Sequence, residues 1–396
     1  MKRRDFIKNS ALASSLFMVP SFVKAFDDVL RASSGYKRLV IVQLSGGNDG
    51  LNTLVPFRND IYYRKRPRLA LKANTLIKLT DEFGLHPKLL PLKRLYDKGY
   101  LSIINNVGYP NPDRSHFRST DIWQTASDAN VQLQTGWVGR YLDNFGDEPY
   151  NAIEVDESLS LTLKGNKISG IATNDAKRLF RTVEQPYIKS ILKHHNDAHL
   201  SEHNLGYLYK MSIEAESSAR YIYETTKTAN SQENYSNHPF GKQLKTTAEF
   251  INSGLKTRVY YTSLGGFDTH ARQTETQSRL LNVYASNLEV FVNELDKKGT
   301  LEDTLILTFS EFGRRVEQNA ANGTDHGAAN NVFIIGKNLK TSGIYNKLGS
   351  LADLDNNGDL KFEIDFRTIY ATVLNKWLDV DGQVVLNKNF EQLDFI

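Results

Sequence analysis

The chain has no cysteine among its 396 residues. That excludes disulfides as a source of stability, although the first residues read as an export signal. Export without disulfides fits a route that carries proteins already folded in the reducing cytoplasm, and such a route suits a protein that takes up a metal before it leaves. A second absence is a long apolar run. The longest, from Ala11 to Val23, is interrupted by Pro20 and is too short to span a bilayer. A third is excess charge. The segment 1–25 holds Lys2, Arg3, Arg4, Lys8 and Lys24 against Asp5, a net of +4 that equals the whole chain's +4. The rest is close to neutral, so nothing argues for a nucleic-acid partner, which would need a basic stripe. Internal repeats, low-complexity tracts and long Pro/Ser linkers are absent too, as is a G-x-S-x-G nucleophile elbow.

What is present begins with the leader. A charged start (Lys2-Arg3-Arg4-Asp5-Phe6), an apolar middle and a small-residue end at Val23-Lys24-Ala25 follow in order. Together they predict a twin-arginine signal peptide over residues 1–25 and a periplasmic or envelope location. No transmembrane segment is expected in the mature chain, which is read as a single domain over 26–396 with a helical insertion near 187–255.

Three apolar stretches read as buried parallel strands. RLVIVQL (38–44) breaks into SGGNDGLN, which displays Asp49. RVYYTSL (258–264) breaks into GGFDTH, which displays Asp268 and His270. TLILTF (304–309) breaks into SEFGRR and, after a Gly/Asn-rich loop, GTDHG, displaying Glu311, Asp325 and His326. Any one of these is an ordinary glycine turn. Three alike, on strands of one parallel sheet, would converge on a single edge, where open α/β sheets bind ligands. Carboxylates and imidazoles in that number can hold Zn²⁺ or Mn²⁺. Metal ligands are therefore expected at Asp49, Asp268, His270, Glu311 and His326, with Asp325 as the acceptor that orients His326.

A further strand, LSII (101–104), leads through a Pro-bearing loop to SHFRSTDIW, which reads as a helix start. Ser115 there is either an N-cap or an oxygen nucleophile beside His116, with Ser119 as alternate. Arg118, Arg140 and Arg314, or Arg315, are candidates for holding a tetrahedral anion. The basic-aromatic run Tyr62–Pro67 is expected to be a solvated face. So is the histidine row His195, His199 and His203, despite its metal-like spacing of four. DLDNNGDL (353–360) reads as a turn or a weak calcium site at Asp353, Asp355 and Asn357, because Ile364 stands where a calcium loop needs Glu.

The stretches LSGGNDGLN, GLHP, SHFRSTDIWQ, GWVGRYLD, GGFDTH, FSEFGRR, GTDHG and DFRTIYATVL resemble the twin-arginine-exported "domain of unknown function 1501" family. That family is similar in layout to the alkaline phosphatase and sulfatase superfamily. The resemblance implies an α/β fold, a three-layer αβα sandwich with a mostly parallel central sheet and one or two metals at the strand ends. It implies a nucleophile at Ser115 and a departure at Ser310-Glu311, where the superfamily carries Asp-His. The expected function is an exported metal-dependent hydrolase of phosphate or sulfate esters, acting on a small anionic ester or a sulfated or phosphorylated polymer. The alternative is a non-catalytic envelope binding protein that keeps the fold. The twin-arginine translocase and another exported envelope protein are the expected protein partners.

Overall fold

A computed structural model describes residues 35–193 and 204–396. The expected signal peptide (1–25) and the histidine row at 195, 199 and 203 lie outside the described residues. The sheet and its covering helices belong to the unit Lys37–Ile396.

Strand β1 (Arg38–Leu44) is buried at all seven positions. Because side chains alternate across a strand, Val40, Val42 and Leu44 enter one hydrophobic core and Leu39 and Ile41 the other. A strand apolar on both faces needs cover on both faces, which explains its unbroken run. The remaining strands of the sheet are β2 (Leu101–Gly108), β3 (Ala152–Glu154), β4 (Ile171–Ala172), β5 (Val259–Leu264) and β6 (Thr304–Phe309). Next come a two-stranded hairpin, β7 (Arg314–Gln318) and β8 (Thr324–His326), and then β9 (Asn330–Ile335), β10 (Gly343–Ile344) and β11 (Ile364–Asp365). The nine-stranded sheet has the order β10-β2-β9-β6-β1-β5-β3-β4, with β11 pairing β2.

β1 is central, with β5 and β6 parallel on either side, Ile41 standing opposite Tyr261 and Leu307. β9 is the exception. It runs antiparallel to both β6 and β2, so β2 again points the same way as β6, β1 and β5. Four strands therefore end on one edge, and the loops that leave them meet there. This is a mixed α/β fold with a mostly parallel central sheet.

Helices cover both faces. On one side lie α1 (Leu90–Asp97), α4 (Pro239–Asn252) and α5 (Gln273–Lys297); on the other lie α2 (His116–Thr125), α3 (Trp137–Phe145) and α6 (Phe366–Thr372). In α5, Leu280, Leu281, Tyr284, Leu288, Phe291 and Leu295 are buried at helical spacing, each contributing about 1.5–3 kcal/mol. Across the sheet, Trp123 stacks between Phe309 and Phe366 and so locks α2 to β6. Between β4 and β5 come the helices Ala176–Val183, Pro186–Lys193, Asn204–Thr226 and α4. No helix among the described residues is long and apolar enough to cross a membrane.

One buried carboxyl makes stability pH-dependent. Glu154, at the end of β3, accepts the Ser160 N–H at 2.6 Å, and burial pushes its pKa up to about 7. A carboxyl raised on folding stabilises fully below its unfolded value, near 4.5. That contribution is lost as pH rises through about 7. Urea unfolding is expected to show a fall in stability from pH 5 to pH 8. Glu154→Gln should remove that fall and exceed the parent by about 3 kcal/mol at pH 8. An equal slope in both proteins would show that Glu154 is not its cause.

Candidate metal centre

The first loop of the site is possible only because residue 46 is glycine. Gly46 has φ +114°, and a Cβ there would stand 2.5 Å from the backbone nitrogen of Asp268. This close approach brings the loops after β1 and β5 together. The Gly46 N–H donates to Glu311 Oε1 at 2.7 Å, adding the loop after β6. Ser310 completes the join: its hydroxyl donates to Leu44 O and accepts from Asn48 N.

Asp268 Oδ1 is the hub. His326 Nε2 and His270 Nε2 both lie 3.2 Å from it and His116 Nε2 lies 3.4 Å from it. His270 Nε2 and His326 Nε2 face each other at 2.9 Å. One ligand atom each from His116, Asp268 and His326 lie within 4.8 Å of one another. These donors come from separate places along the chain: the first residue of α2, the loop after β5 (Asp268 and His270) and the last residue of β8.

Each imidazole is held from behind. His116 Nδ1 donates to Glu311 Oε1 at 2.9 Å, His270 Nδ1 to Asp325 Oδ1 at 3.1 Å, and His326 Nδ1 to the Arg114 carbonyl at 2.7 Å. A carboxylate or carbonyl only accepts, so each Nδ1 carries a proton, which leaves Nε2 as the ring atom able to ligate an ion. Phe312 packs against both His116 and His326, with ring centroids 4.9 and 4.6 Å away.

Three Nε2 atoms thus face one carboxylate oxygen, an arrangement that positive charge at the centre satisfies. Arg314 supplies part of it from one side, its Nη2 donating to Asp268 Oδ1 at 2.8 Å. Burial alone pulls the Asp268 carboxyl upward, but Arg314 and the neighbouring imidazoles outweigh it and hold the group well below the usual carboxylate range. The bond to Glu311 raises the pKa of His116, while burial lowers that of His326. His116 Nε2 and Glu311 Oε2 are buried without a hydrogen-bond partner, as expected of atoms that face a ligand. The donor set fits a divalent ion such as Zn²⁺ or Mn²⁺. The spacings around Asp268 also match the ~3.3 Å edge of a tetrahedron with metal–ligand bonds of about 2.0–2.1 Å.

Of the residues expected at the site, Asp268, His270 and His326 come together, joined by His116, which the sequence placed with the nucleophile. Glu311 stands behind His116 as its acceptor. Asp325 orients His270 and not His326, because neighbouring residues of a strand point to opposite sides. Asp49 is elsewhere. Its side chain is fully buried, accepts from Leu51 N, and pairs with Arg66 Nη1 at 2.6 Å and with Gln273 Nε2. Arg66 is equally buried and also donates to Val316 O and Arg315 O, so the run 62–67 is no solvated face at that position.

Three of the four arginines expected to hold substrate are occupied by the chain itself; the fourth, Arg315, is partly exposed and faces Asp359. Arg314 donates to the carbonyls of Gly46, Gly47, Phe267 and Thr324 as well as to Asp268. Arg140 holds the carbonyls of Val385, Thr135 and Thr125, and Arg118 those of Asp128, Ala129 and Val131. Ser119 is buried, its hydroxyl donating to Asp113 O and meeting Tyr109 Oη at 2.9 Å, which removes it as a nucleophile. Ser115 is exposed and precedes α2 without capping it through its side chain. In the expected calcium loop, Asp353 pairs with Lys361 and Asp355 Oδ1 accepts two backbone N–H groups of its own turn. The segment is a turn, closed by the bridge between Leu354 and Leu360. Sequence reasoning missed Arg66, Gln273 and the Arg114 carbonyl. None of these carries a local signal, because each meets its partner only through the fold.

A family model described as "Protein of unknown function (DUF1501)" matches residues 36–388. No curated protein matches the chain. Among solved structures, the chain is similar to a sulfatase from Pseudoalteromonas sp., at 11% identity over 95% of this chain and 75% of that one, with a TM-score of 0.42. It is also similar to the C-terminal periplasmic domain of EptC from Escherichia coli, at 12% identity over 89% and 83%, TM-score 0.36. A third is a protein in the alkaline phosphatase superfamily from Vibrio parahaemolyticus, at 13% identity over 91% and 71%, TM-score 0.35.

Proposed function

Since this chain belongs to the DUF1501 family, whose description assigns no activity, we propose a function from the chemistry of the site: a metal-dependent hydrolase of phosphate or sulfate esters. The observation that carries the proposal is the convergence of three Nε2 atoms on Asp268 Oδ1, each imidazole held at Nδ1 by an oxygen. Asp268, His116 and His326, with His270 beside them, would hold the ion. A bound divalent ion supplies the charge that polarises a phosphoryl or sulfuryl oxygen and favours attack at the central atom.

The chain's own residues do the rest. Arg314 keeps the Asp268 carboxylate ionised and aimed. Glu311 and Asp325 keep His116 and His270 in one tautomer. Ser115, exposed at the start of α2, offers its hydroxyl as the nucleophile where a helix N-terminus favours an anion. The donors lie between 19 and 48% exposed, open to a bulky ester or the end of a sulfated or phosphorylated polymer. The leader supports export through the twin-arginine translocase to the periplasm or envelope, where another exported protein could be a partner.

A second reading has its own support. Arg118, Arg140 and Arg314 are all committed to the chain's own acceptors, which leaves none of these three for a substrate anion. That favours a non-catalytic binding protein built on the same metal site. One experiment separates the readings. Purified mature protein should carry near-stoichiometric Zn or Mn and turn over aryl phosphates or aryl sulfates, with activity lost on chelation and restored by the metal. Metal without turnover of either ester supports the binding protein; trace metal that cannot be reloaded sinks both.

A further inference from the structure

We propose that Asp359 is a positioning residue of the metal centre, acting through Arg114 on His326. This rests on the metal reading of the cluster. The motif DLDNNGDL, read from the sequence as a turn or a weak calcium site, thereby acquires a role in the site.

The connection is continuous. Asp359 has a fully buried side chain, and its Oδ2 accepts from Arg114 Nε at 2.7 Å and from Arg114 Nη2. The same arginine's carbonyl accepts the Nδ1–H of His326 at 2.7 Å. The carboxylate itself is held by the turn it ends: Asp355 Oδ1 accepts the N–H groups of Asn357 and Asp359, both at 2.8 Å, and Leu354 bridges to Leu360. Leu360 O accepts in turn from Ala329 N, in the segment between His326 and β9. Asp359 Oδ1 faces Arg315 Nε at 3.6 Å, which adds the strand next to β8 to the same anchor.

An imidazole can carry its proton on either nitrogen, and a metal takes the other. Nothing in His326 chooses between them; its surroundings do, and of the two acceptors it faces the Arg114 carbonyl, 2.7 Å from Nδ1, is closer than Asp268 Oδ1, 3.2 Å from Nε2. Arg114 lies in an irregular loop between β2 and α2, so its carbonyl is aimed only as well as its side chain is fixed. Since His116 begins α2 two residues later, the same anchor sets the approach of a second ligand. Partners behind metal-bound histidines matter at the level of about 10–100-fold in affinity.

The test uses the full chain with ¹⁵N-labelled histidine. Ring nitrogen shifts of the metal-free protein report the tautomer, and chelator competition reports Zn²⁺ affinity. The parent is expected to hold His326 with its proton on Nδ1. Asp359→Asn should give a mixture of tautomers and about 10–100-fold weaker Zn²⁺ binding, Asp359→Glu should restore most of both, and Arg114→Gln should reproduce Asp359→Asn. Should Asp359→Asn fail to fold, Arg114→Gln decides, because that side chain is partly exposed and its loss leaves the carbonyl in place. A parent-like tautomer overturns the proposal, even if affinity falls, since that outcome marks a structural role only. If the parent itself takes up no Zn²⁺, the metal reading fails while the tautomer comparison still decides what Asp359 does to His326.

Discussion

Under the proposed metal-dependent hydrolysis, Asp268→Asn is expected to yield a folded protein that retains no metal and turns over aryl esters at least about a hundredfold more slowly. The reasoning is one of charge at constant shape. Asp268 Oδ1 is the one atom that all three imidazole Nε2 atoms and Arg314 Nη2 share. Asparagine fills the same space but brings no negative charge to a centre otherwise made of imidazoles and an arginine. The fold should tolerate it, because Arg314 keeps four backbone carbonyls as acceptors. Metal content after dialysis, turnover and far-UV circular dichroism check the three parts separately. Parent-level metal and activity in the folded variant would show that the centre is not built on Asp268.

Asp49→Asn should instead cost stability, about 3–5 kcal/mol, because it strands the buried Arg66 guanidinium without its counter-charge. For a domain of this size that lowers the melting temperature by about 4–7 °C. Arg66 is also the tie between the loop after β1 and the hairpin that carries His326, through Val316 O and Arg315 O. A double-mutant cycle with Arg66→Met should show strong coupling, since removing both charges is far milder than removing one. Zn²⁺ affinity, measured where the variant is still folded, should change much less than stability. The opposite pattern, an affinity collapse with little loss of stability, would return Asp49 to the ligands.

The contrast between these two aspartates shows what could be read in advance. Both follow an apolar strand and a glycine turn, and by sequence they are equivalent. Their fates differ because Arg66 lies 17 residues after Asp49, in a run where Arg64 and Pro67 are exposed while Tyr62 is buried with it. Once a fully buried arginine claims a carboxylate, that carboxylate is no longer free to ligate. Glu311 was visible as a site residue but not in its role, since His116, which it orients, lies 195 residues away. Asp325 and His326 are adjacent in the chain, yet strand alternation sends them to different partners.

Period and punctuation along the chain determined the architecture. Runs apolar at every position demand a sheet covered on both faces, and glycine-rich breaks after them demand tight loops at one edge. These are local requirements of burial and backbone sterics, so they survive without knowledge of neighbours, and they placed Asp268, His270, Glu311 and His326 at the strand ends. Only the tertiary structure decided which polar groups converge, which orient and which pair with arginine. Those roles depend on hydrogen-bond geometry between residues tens to hundreds of positions apart, and a charged side chain leaving water takes the partner that the packed fold puts within about 3 Å.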